Sequence, residues 1–328
     1  MKKNVLLIMP KHASIHELII KNIEYVGYNV TFFSEPDFKY KSIGQRLDNF
    51  FRKTFLGQKD YKDRLKMQYR EQAFVRDIYS SQPIFDFALV IRPDLYGENI
   101  PKYLKKICKK IIAYQWDGFS RFKLTDNIIN SYDTFAVFDN DDFEQYSTQY
   151  PHLISTNNFY FDYLPIPAKK YDFYYIGTLQ DDRLEVITRI SNMLKQGEFN
   201  NSFTLFDITG KQSKKHPDIN ITHREISYKE ILKNSSEFNV LIDLKTSCHN
   251  GLSLRFFEAL HFSQKIITNN ETVKNMDFYH ENNHLVFNTI DQLNYETIIN
   301  FLQKPYIKPS DDIVQKYSFI NWLKSLTV

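Results

Sequence analysis

Residues 243–270 read DLKTSCHNGLSLRFFEALHFSQKIITNN, and this stretch decides the fold. A buried apolar run ends at Leu244, a polar loop follows, and the apolar-periodic segment Leu252–Phe262 predicts a helix. The β-branched segment Lys265–Thr268 then predicts a second strand. A strand, a glycine-containing loop, a helix and a further strand form a βαβ unit, which is typical of parallel sheets.

The same alternation of strand-like and helix-like segments extends through the rest of the chain. It predicts an α/β protein with two doubly wound, Rossmann-like domains that face a cleft, where ligands bind at the carboxyl ends of the strands. The predicted strands are Asn4–Met9, Tyr28–Phe33, Phe87–Ile91, Lys110–Tyr114, Thr134–Phe138, Tyr171–Ile176, Phe203–Ile208, Ile219–Thr222, Phe238–Leu244, Lys265–Thr268 and His284–Phe287. The later predicted helices are Asp182–Lys195, Tyr228–Asn234, Leu252–Phe262, Asp291–Leu302 and Asp311–Leu326.

Length and proline positions suggest where the two domains meet. A chain of 328 residues favours two cores over one, and Pro151, Pro165 and Pro167 mark a linker. We therefore expect an N-terminal domain over residues 1–165, with a basic insert at 38–77. A C-terminal domain should cover 166–310, followed by a helix at 311–328 that is a candidate to pack back on the N-terminal domain.

Composition excludes several classes of protein. The net charge of +3 is too small to predict nucleic-acid binding, and two cysteines provide no disulfide framework. The first twelve residues, MKKNVLLIMPKH, imitate a signal peptide, but their apolar run is too short, and we interpret it as a first strand. These features predict a cytoplasmic protein and disfavour a periplasmic binding protein, although such proteins also have two α/β lobes.

The absence of several motifs excludes further kinds of binding site. All nine glycines are isolated, so neither a dinucleotide fingerprint nor a phosphate loop of the G-x-x-x-x-G-K-[ST] type occurs. The histidines lack metal-ligand spacing. The acidic run 139–142, DNDD, matches the Asp-x-Asp pattern that holds a divalent metal, but it equally fits a polar turn that caps a helix. We favour the helix cap and expect no metal and no cofactor.

The loop and helix of residues 250–258 have the chemistry of a diphosphate site. A helix N-terminus after a glycine loop offers free N–H groups to a phosphate, and Gly251 permits close approach of the backbone. Arg255 is placed to add a charge-assisted contact, and Glu258 to accept hydrogen bonds from two ribose hydroxyls. The competing interpretation is an amphipathic helix in which Arg255 and Glu258 form a surface ion pair.

This segment resembles the donor-binding motif of GT-B glycosyltransferases, in the form found in bacterial polysaccharide and lipopolysaccharide enzymes and CgeB-like proteins. The resemblance lies in the glycine loop, the helix containing F-E-A-L at 257–260 and the strand that follows, and it extends over about residues 171–290. It implies that the domain at 1–165 binds the acceptor and that the domain at 166–310 binds the nucleotide-sugar, with Glu258 on the donor ribose. It also implies that the diphosphate meets the backbone of Asn250, Gly251, Leu252 and Ser253. Related glycogen-synthase-like enzymes carry a glutamate where this chain has Asn250.

Two further groups are donor-site candidates. Gly177, Thr178 and Arg183 follow the first strand of the C-terminal half, where GT-B enzymes place a small-residue turn against the phosphates. Lys245 follows the strand that precedes the main motif and is a second candidate to neutralise phosphate. An ordinary capped turn and a solvated lysine are the structural alternatives.

Glycosyl transfer also requires a group that accepts the proton of the acceptor hydroxyl. Side chains at strand ends of the N-terminal half are the candidates: Asp117, which follows Trp116, and His12 and His16, which follow the first strand. Asp117 is preferred because the adjacent indole offers a face for sugar stacking. A turn-forming aspartate before Gly118 is the structural alternative.

The basic insert Phe38–Asp77 has eleven Lys and Arg against five Asp and Glu, a local charge of +6, with aromatic residues interleaved. It predicts either a solvated helical pair or peripheral contact with an anionic membrane that presents a lipid-linked acceptor.

The predicted function is metal-independent transfer of a sugar from a nucleotide-sugar to a saccharide or lipid-linked acceptor. Two alternatives stay open: a nucleotide-sugar 2-epimerase of the same fold, and an inactive sugar-nucleotide-binding partner subunit.

Overall fold

The computed structural model describes residues 2–55, 61–121, 124–210, 216–245 and 251–327. The chain forms two units, each built around one parallel sheet. The first unit comprises Met1–Lys11, Ile23–Val137 and Asp142–Ser155, and the second comprises His12–Asn22, Phe138–Asp141 and Thr156–Val328.

The sheet of the first unit has six strands in the order β2-β1-β3-β4-β5-β6, all parallel. Every residue of β3 and β4 is buried, so helices must cover both faces of the sheet. The order matches the flavodoxin-like arrangement, in which the order of the strands in the sheet reverses between β1 and β3. The strands are β1 (Asn4–Ile8), β2 (Asn29–Phe33), β3 (Phe87–Ile91), β4 (Ile111–Gln115), β5 (Thr134–Val137) and β6 (Leu153–Ser155).

Helices pack against this sheet through apolar residues at helical spacing. In α4, for example, Ile100, Leu104 and Ile107 recur every three or four residues and all are buried. The helices of this part of the chain are α1 (Ile15–Tyr25), α2 (Ile43–Phe55), α3 (Tyr61–Asp77), α4 (Asn99–Ile107), α5 (Asp126–Ile129) and α6 (Asn140–Tyr146).

The sheet of the second unit also has six parallel strands, in the order β12-β11-β10-β7-β8-β9. Renumbered within the unit, this is the 3-2-1-4-5-6 order of the Rossmann fold, and the point at which the strand order reverses lies between β7 and β10. The strands are β7 (Tyr171–Thr178), β8 (Asn201–Phe206), β9 (Asn220–Thr222), β10 (Phe238–Asp243), β11 (Lys265–Thr268) and β12 (His284–Val286).

Two apolar clusters bury this second sheet. One contains Ile187, Ile190 and Leu194 of α7, and the other contains Phe256 and Phe257 of α9. The helices are α7 (Asp181–Leu194), α8 (Tyr228–Ser235), α9 (Leu254–Phe262), α10 (Tyr295–Gln303), α11 (Asp311–Lys316) and α12 (Phe319–Thr327).

The C-terminal segment differs from the single helix predicted over Asp311–Leu326. The helix is broken because the backbone there pairs with Tyr160: the Tyr160 N–H donates to Tyr317 O at 3.0 Å, and the Phe319 N–H donates to Tyr160 O at 3.0 Å. This pairing satisfies backbone groups that a continuous helix would have used internally.

The same region ties α1 into the second unit. The side chain of Asn22, which is fully buried, donates to Asp162 Oδ2 at 2.9 Å and accepts from the Asp162 N–H at 2.8 Å. Asp162 Oδ2 also accepts from the Ile320 N–H of α12 at 3.0 Å. One carboxylate therefore joins the first helix, the segment before β7 and the last helix.

The predicted fold class is confirmed, since the chain contains two six-stranded, Rossmann-like parallel sheets with flanking helices. The three-residue strand β6 was not predicted. Within the described ranges, no helix is both long and apolar enough to cross a membrane.

Candidate functional site

The reversal point of the second sheet brings together two of the predicted groups. β7 and β10 are adjacent and parallel, and each leads into a helix whose N-terminus lies after the carboxyl end of its strand. β7 is followed by Gly177, Thr178 and the start of α7, and β10 by Lys245 and, after residues 246–250, by α9. In such sheets, ligands bind at the carboxyl ends of the strands at this point.

Gly177 lies against two polar side chains. A Cβ atom at this position would lie 2.6 Å from Tyr175 Oη, so glycine leaves room for this hydroxyl, and it would lie in ordinary contact with Arg183 Nη1 at 3.6 Å. Arg183 reaches from α7 to the end of β10, where its Nη2 donates to Leu244 O at 3.1 Å. Thr178 ends β7 beside them and is half-buried.

Two hydrogen-bonding groups of this cluster have no partner within the described part of the chain. They are Tyr175 Oη and Arg183 Nε, and both atoms are buried. Burial raises the pKa of Tyr175 to about 12, so its hydroxyl is a neutral donor at physiological pH. Two buried donors without an acceptor call for an explanation, and an acceptor group brought by a ligand would satisfy them.

Arg255 and Asp243 tie the ends of the two central strands together. Arg255 Nη2 donates to Ile176 O at 2.8 Å, and its Nη1 lies 2.9 Å from Asp243 Oδ2 and 3.2 Å from Ile242 O. Burial opposes the charge of Arg255, but the Asp243 and Glu258 carboxylates outweigh it and leave the arginine pKa above its usual value. The Arg255 ion pair is therefore with Asp243, twelve residues upstream.

The N-terminus of α9 lacks a side-chain cap among the described residues. Ser253 occupies the capping position, but its hydroxyl donates to Asp243 Oδ2 at 2.7 Å instead of accepting from the helix. The first N–H groups of α9 are consequently not satisfied by the residue that ordinarily caps them.

The chain that enters α9 is held closely by its neighbours. A Cβ at Gly251 would lie 2.3 Å from the Phe138 ring and 3.0 Å from the Phe138 carbonyl oxygen, so this position requires glycine for packing. Leu252 is buried, and its carbonyl accepts from Asn158 Nδ2 at 2.9 Å. Asn250 lies outside the described residues.

Glu258 is buried on α9, with 4% of its surface exposed. The hydroxyl of Tyr228, at the start of α8, donates to its Oε1. Burial raises the pKa of Glu258 to about 7, against the lowering effects of the Tyr228 hydrogen bond and the Arg255 charge. Glu258 is thus an enclosed carboxyl group that titrates near neutrality.

Lys245 borders a polar hollow of about 590 Å³ at the carboxyl ends of β10 and β11. Its backbone N–H donates to Asn269 Oδ1 at 2.7 Å. The other lining residues are Glu271, Thr272, Lys274, Asn275 and Asn288.

The predicted proton acceptors occupy different surroundings. Asp117 belongs to the first unit, where its two oxygens accept from Arg92 Nη1 at 3.4 Å and Arg121 Nη1 at 2.9 Å. Arg92 also forms a two-pronged pair with Asp94, at 2.7 Å for each bond. Asp117 is therefore part of a charge network at the carboxyl ends of β3 and β4.

His12 and His16 belong to the second unit. His12 is exposed at the start of a short 3-10 helix, and His16 is half-buried in the first turn of α1. The backbone between them is anchored by a bond of 3.0 Å from the Ala13 N–H to Glu225 Oε1.

In the acidic run 139–142, Asp139 caps the helix α6 and Asp142 holds a neighbouring turn. Asp139 Oδ1 accepts from the Asp141 N–H at 3.1 Å in the first turn of α6. Asp142 Oδ2 accepts from the Phe119 N–H at 2.8 Å. In the ranges that the structure covers, no group of three or more His, Cys, Asp or Glu side chains is arranged to hold a metal ion.

Sequence reasoning missed three of these side chains. Tyr175 lies two residues before Gly177 in the same strand, so strand alternation alone places the two on one face. Asp243 ends β10 and is the first residue of the segment 243–270, yet no role was predicted for it. Tyr228 has no local signal, because it is thirty residues from Glu258 in the sequence.

No protein-family model matches the chain, and no curated protein sequence is significantly similar to it. Solved structures do share its fold. A trehalose-6-phosphate synthase superposes with a TM-score of 0.57 at 12% identity, over 98% of this chain and 97% of that chain. An α-glucosyltransferase in complex with UDP gives 0.54 at 10% identity, over 99% and 95%. The UDP-GlcNAc 2-epimerase of Methanocaldococcus jannaschii, in complex with UDP-GlcNAc and UDP, gives 0.51 at 9%, over 96% and 98%. The chain therefore has the two-domain GT-B fold of these enzymes.

Proposed function

We propose that the protein is a glycosyltransferase whose second unit binds a nucleotide-sugar and which transfers the sugar to a saccharide or lipid-linked acceptor. The acceptor belongs, in this proposal, to the synthesis of bacterial cell-surface polysaccharide or lipopolysaccharide. The observation that carries the proposal is the convergence of Gly177, Tyr175 Oη and Arg183 at the reversal point of the second sheet. The fold supports it, since two of the similar structures contain UDP.

The donor diphosphate would lie across this convergence. Arg183 supplies a positive charge and an Nε–H without a described partner, and the Tyr175 hydroxyl supplies a neutral donor. The N–H groups at the start of α9, which Ser253 does not cap, supply further donors on the other side of the reversal point. These groups stabilise negative charge on a leaving nucleoside diphosphate without a metal ion.

The donor ribose would lie beside Glu258. The resemblance implies that this carboxylate accepts from two ribose hydroxyls, and its position on α9, one turn beyond Arg255, is consistent with that role. Tyr228 already donates to one of its oxygens, so the ribose would use the remaining acceptor sites of the carboxylate.

In the transfer step, the acceptor oxygen forms a bond to the anomeric carbon while the bond from that carbon to the diphosphate oxygen breaks. The acceptor hydroxyl must lose its proton, and Asp117, His12 and His16 stay the proposed acceptors of that proton. His12 is the most accessible of the three, because Asp117 is engaged by two guanidinium groups.

The first test is a thermal shift with UDP, GDP, CMP and dTDP in the presence of a chelator. A nucleotide that binds the folded protein raises its melting temperature by mass action. We expect a shift with one nucleotide that is lost in Arg183→Ala. The matched control is Arg189→Ala, which removes an exposed arginine six residues along α7 that pairs with Asp291. A shift that survives in Arg183→Ala, or the absence of a shift with all four nucleotides, would contradict the proposed donor site.

A 2-epimerase is the second candidate, because the similarity to the UDP-GlcNAc 2-epimerase is comparable to that with the glucosyltransferase. The two candidates differ in their need for an acceptor. Incubation of the protein with UDP-GlcNAc alone, followed by proton NMR of the anomeric region, would show a second epimer only for an epimerase. Nucleotide binding without turnover in either assay would favour an inactive partner subunit.

A further inference from the structure

Four large apolar side chains of the helix α2 are exposed. Ile43, Leu47, Phe50 and Phe51 are 79%, 62%, 62% and 52% exposed. Their spacing places them on one face of the helix, since residues three and four apart are neighbours on a helical surface. Four large apolar side chains on one exposed face form a contiguous patch rather than scattered surface residues.

The polar side chains of α2 contact neighbouring segments of the chain instead. Arg52 Nε lies 2.9 Å from Asp48 Oδ1, and the Tyr61 hydroxyl of α3 donates to Asp48 Oδ2 at 2.7 Å. The Arg52 guanidinium also lies 4.7 Å from the centre of the Tyr61 ring, and Asn49 Nδ2 donates to the Tyr40 hydroxyl at 3.1 Å. These contacts hold α2 by its polar face, the reverse of the usual arrangement for a surface helix.

The segment that contains the apolar face is positively charged. The segment Phe38–Asp77 has a local charge of +6, whereas the chain as a whole has only +3. Its exposed cationic residues include Lys39 and Lys41, which precede α2, Arg46 on α2 and Lys62 on α3. An exposed apolar face flanked by lysine and arginine is the pattern of helices that lie in the interface of an anionic bilayer.

We propose that α2 docks on an anionic phospholipid surface, with its four exposed apolar side chains among the acyl chains and Arg46 and its neighbours at the lipid phosphates. The inference does not depend on the proposed sugar transfer. A second copy of the chain is a poorer occupant, because it would bring the same positive charge against the patch. One 13-residue helix also presents less than the roughly 800 Å² per partner of a stable protein interface.

Flotation of the full chain with phospholipid vesicles tests this proposal. We expect binding to vesicles of phosphatidylglycerol and phosphatidylcholine at least tenfold tighter than to phosphatidylcholine alone, and weaker at high salt, because salt screens the charge attraction. The variant Leu47→Gln with Phe50→Gln should weaken binding at least tenfold. Ile208→Gln, which alters a 71% exposed isoleucine of the second unit, should leave binding unchanged. All these side chains are exposed, so the melting temperatures should be equal.

A second measurement locates the contact. A tryptophan introduced by Phe50→Trp should be quenched by vesicles that contain brominated lipid, and one introduced by Ile208→Trp should not. The proposal is overturned if the wild-type chain does not bind anionic vesicles, or if the Leu47 and Phe50 substitutions leave binding intact. It is also overturned if light scattering shows a dimer that these substitutions dissociate while vesicle binding is absent.

Discussion

The carboxyl ends of the two sheets differ in how their charged and polar side chains are paired. In the first unit, Arg92, Asp94 and Asp117 form a network in which each charge faces an opposite charge. In the second unit, Arg255 is likewise paired with Asp243, but Tyr175 Oη and Arg183 Nε have no partner in the described chain. In the first unit the charged groups satisfy one another, whereas in the second unit two buried donors require an acceptor that the described residues do not supply.

The largest loss of stability should come from removing the Arg255–Asp243 ion pair of the second unit. Arg255→Met removes the guanidinium that joins Ile176, Ile242 and Asp243, and it leaves the buried Asp243 carboxylate without its cation. We expect a loss of about 3–5 kcal/mol in the free energy of unfolding, measured with urea. Arg189→Met on α7, an exposed residue, is the control and should change it by less than about 1 kcal/mol. If Arg255→Met lowers the free energy of unfolding by no more than the control, the Arg255–Asp243 pair does not stabilise the two strand ends.

The next effect concerns pH. Glu258 has a pKa of about 7 in the folded protein, above the ordinary value of 4.5 for an exposed carboxyl group. The folded state therefore holds the proton more tightly, and the contribution of Glu258 to stability is complete below pH 4.5 and is lost as pH rises through 7. The difference in melting temperature between wild type and Glu258→Gln should change over this interval, by an amount that corresponds to about 3 kcal/mol at most. Parallel pH profiles for the two proteins would exclude a raised pKa at Glu258.

A smaller effect should follow from filling the space at Gly177. In Gly177→Ala the new methyl group would lie 2.6 Å from Tyr175 Oη, and such overpacking costs about 1–3 kcal/mol. Removing the hydroxyl with Tyr175→Phe should relieve part of this loss, so a double-mutant cycle should show coupling between the two sites. Both variants should weaken the nucleotide-dependent thermal shift. Additive losses of stability would mean that the two groups do not meet.

The smallest effect is expected in the first unit. Asp117→Asn weakens the bonds to Arg92 and Arg121, but Asp94 still neutralises Arg92, so the loss of stability should be about 1–2 kcal/mol. The nucleotide-dependent shift should persist, because the proposed donor groups lie in the second unit. If the nucleotide-dependent thermal shift disappears in Asp117→Asn, the proposed difference between the carboxyl ends of the two sheets is wrong.

The fold was predictable because its strands are short apolar runs between polar turns. Phe87–Ile91 and Lys265–Thr268 begin and end at the predicted residues. The strand at Leu153–Ser155 was missed because it has only three residues and lies in the proline-marked stretch that was interpreted as a linker. The break between Lys316 and Phe319 arises from backbone pairing with Tyr160, a contact that no local pattern encodes.

The candidate site was predictable only where its residues are close in sequence. Gly177 and Arg183 lie within seven residues of each other, and the structure places them side by side. Local spacing suggested that Arg255 pairs with Glu258 three residues on, but its ion pair is with Asp243, which lies across the loop in the preceding strand. Burial, rather than spacing, gives Glu258 its pKa.

The path of the chain has a consequence for how the protein can be divided. The polypeptide passes between the two units five times, and the short segments His12–Asn22 and Phe138–Asp141 belong to the second unit although both precede its sheet. A fragment that starts at Thr156 would lack Asn22, the buried partner of Asp162, and Phe138, which packs on Gly251. No single cut, whether by a protease or by the choice of cloning boundaries, separates this molecule into two intact halves.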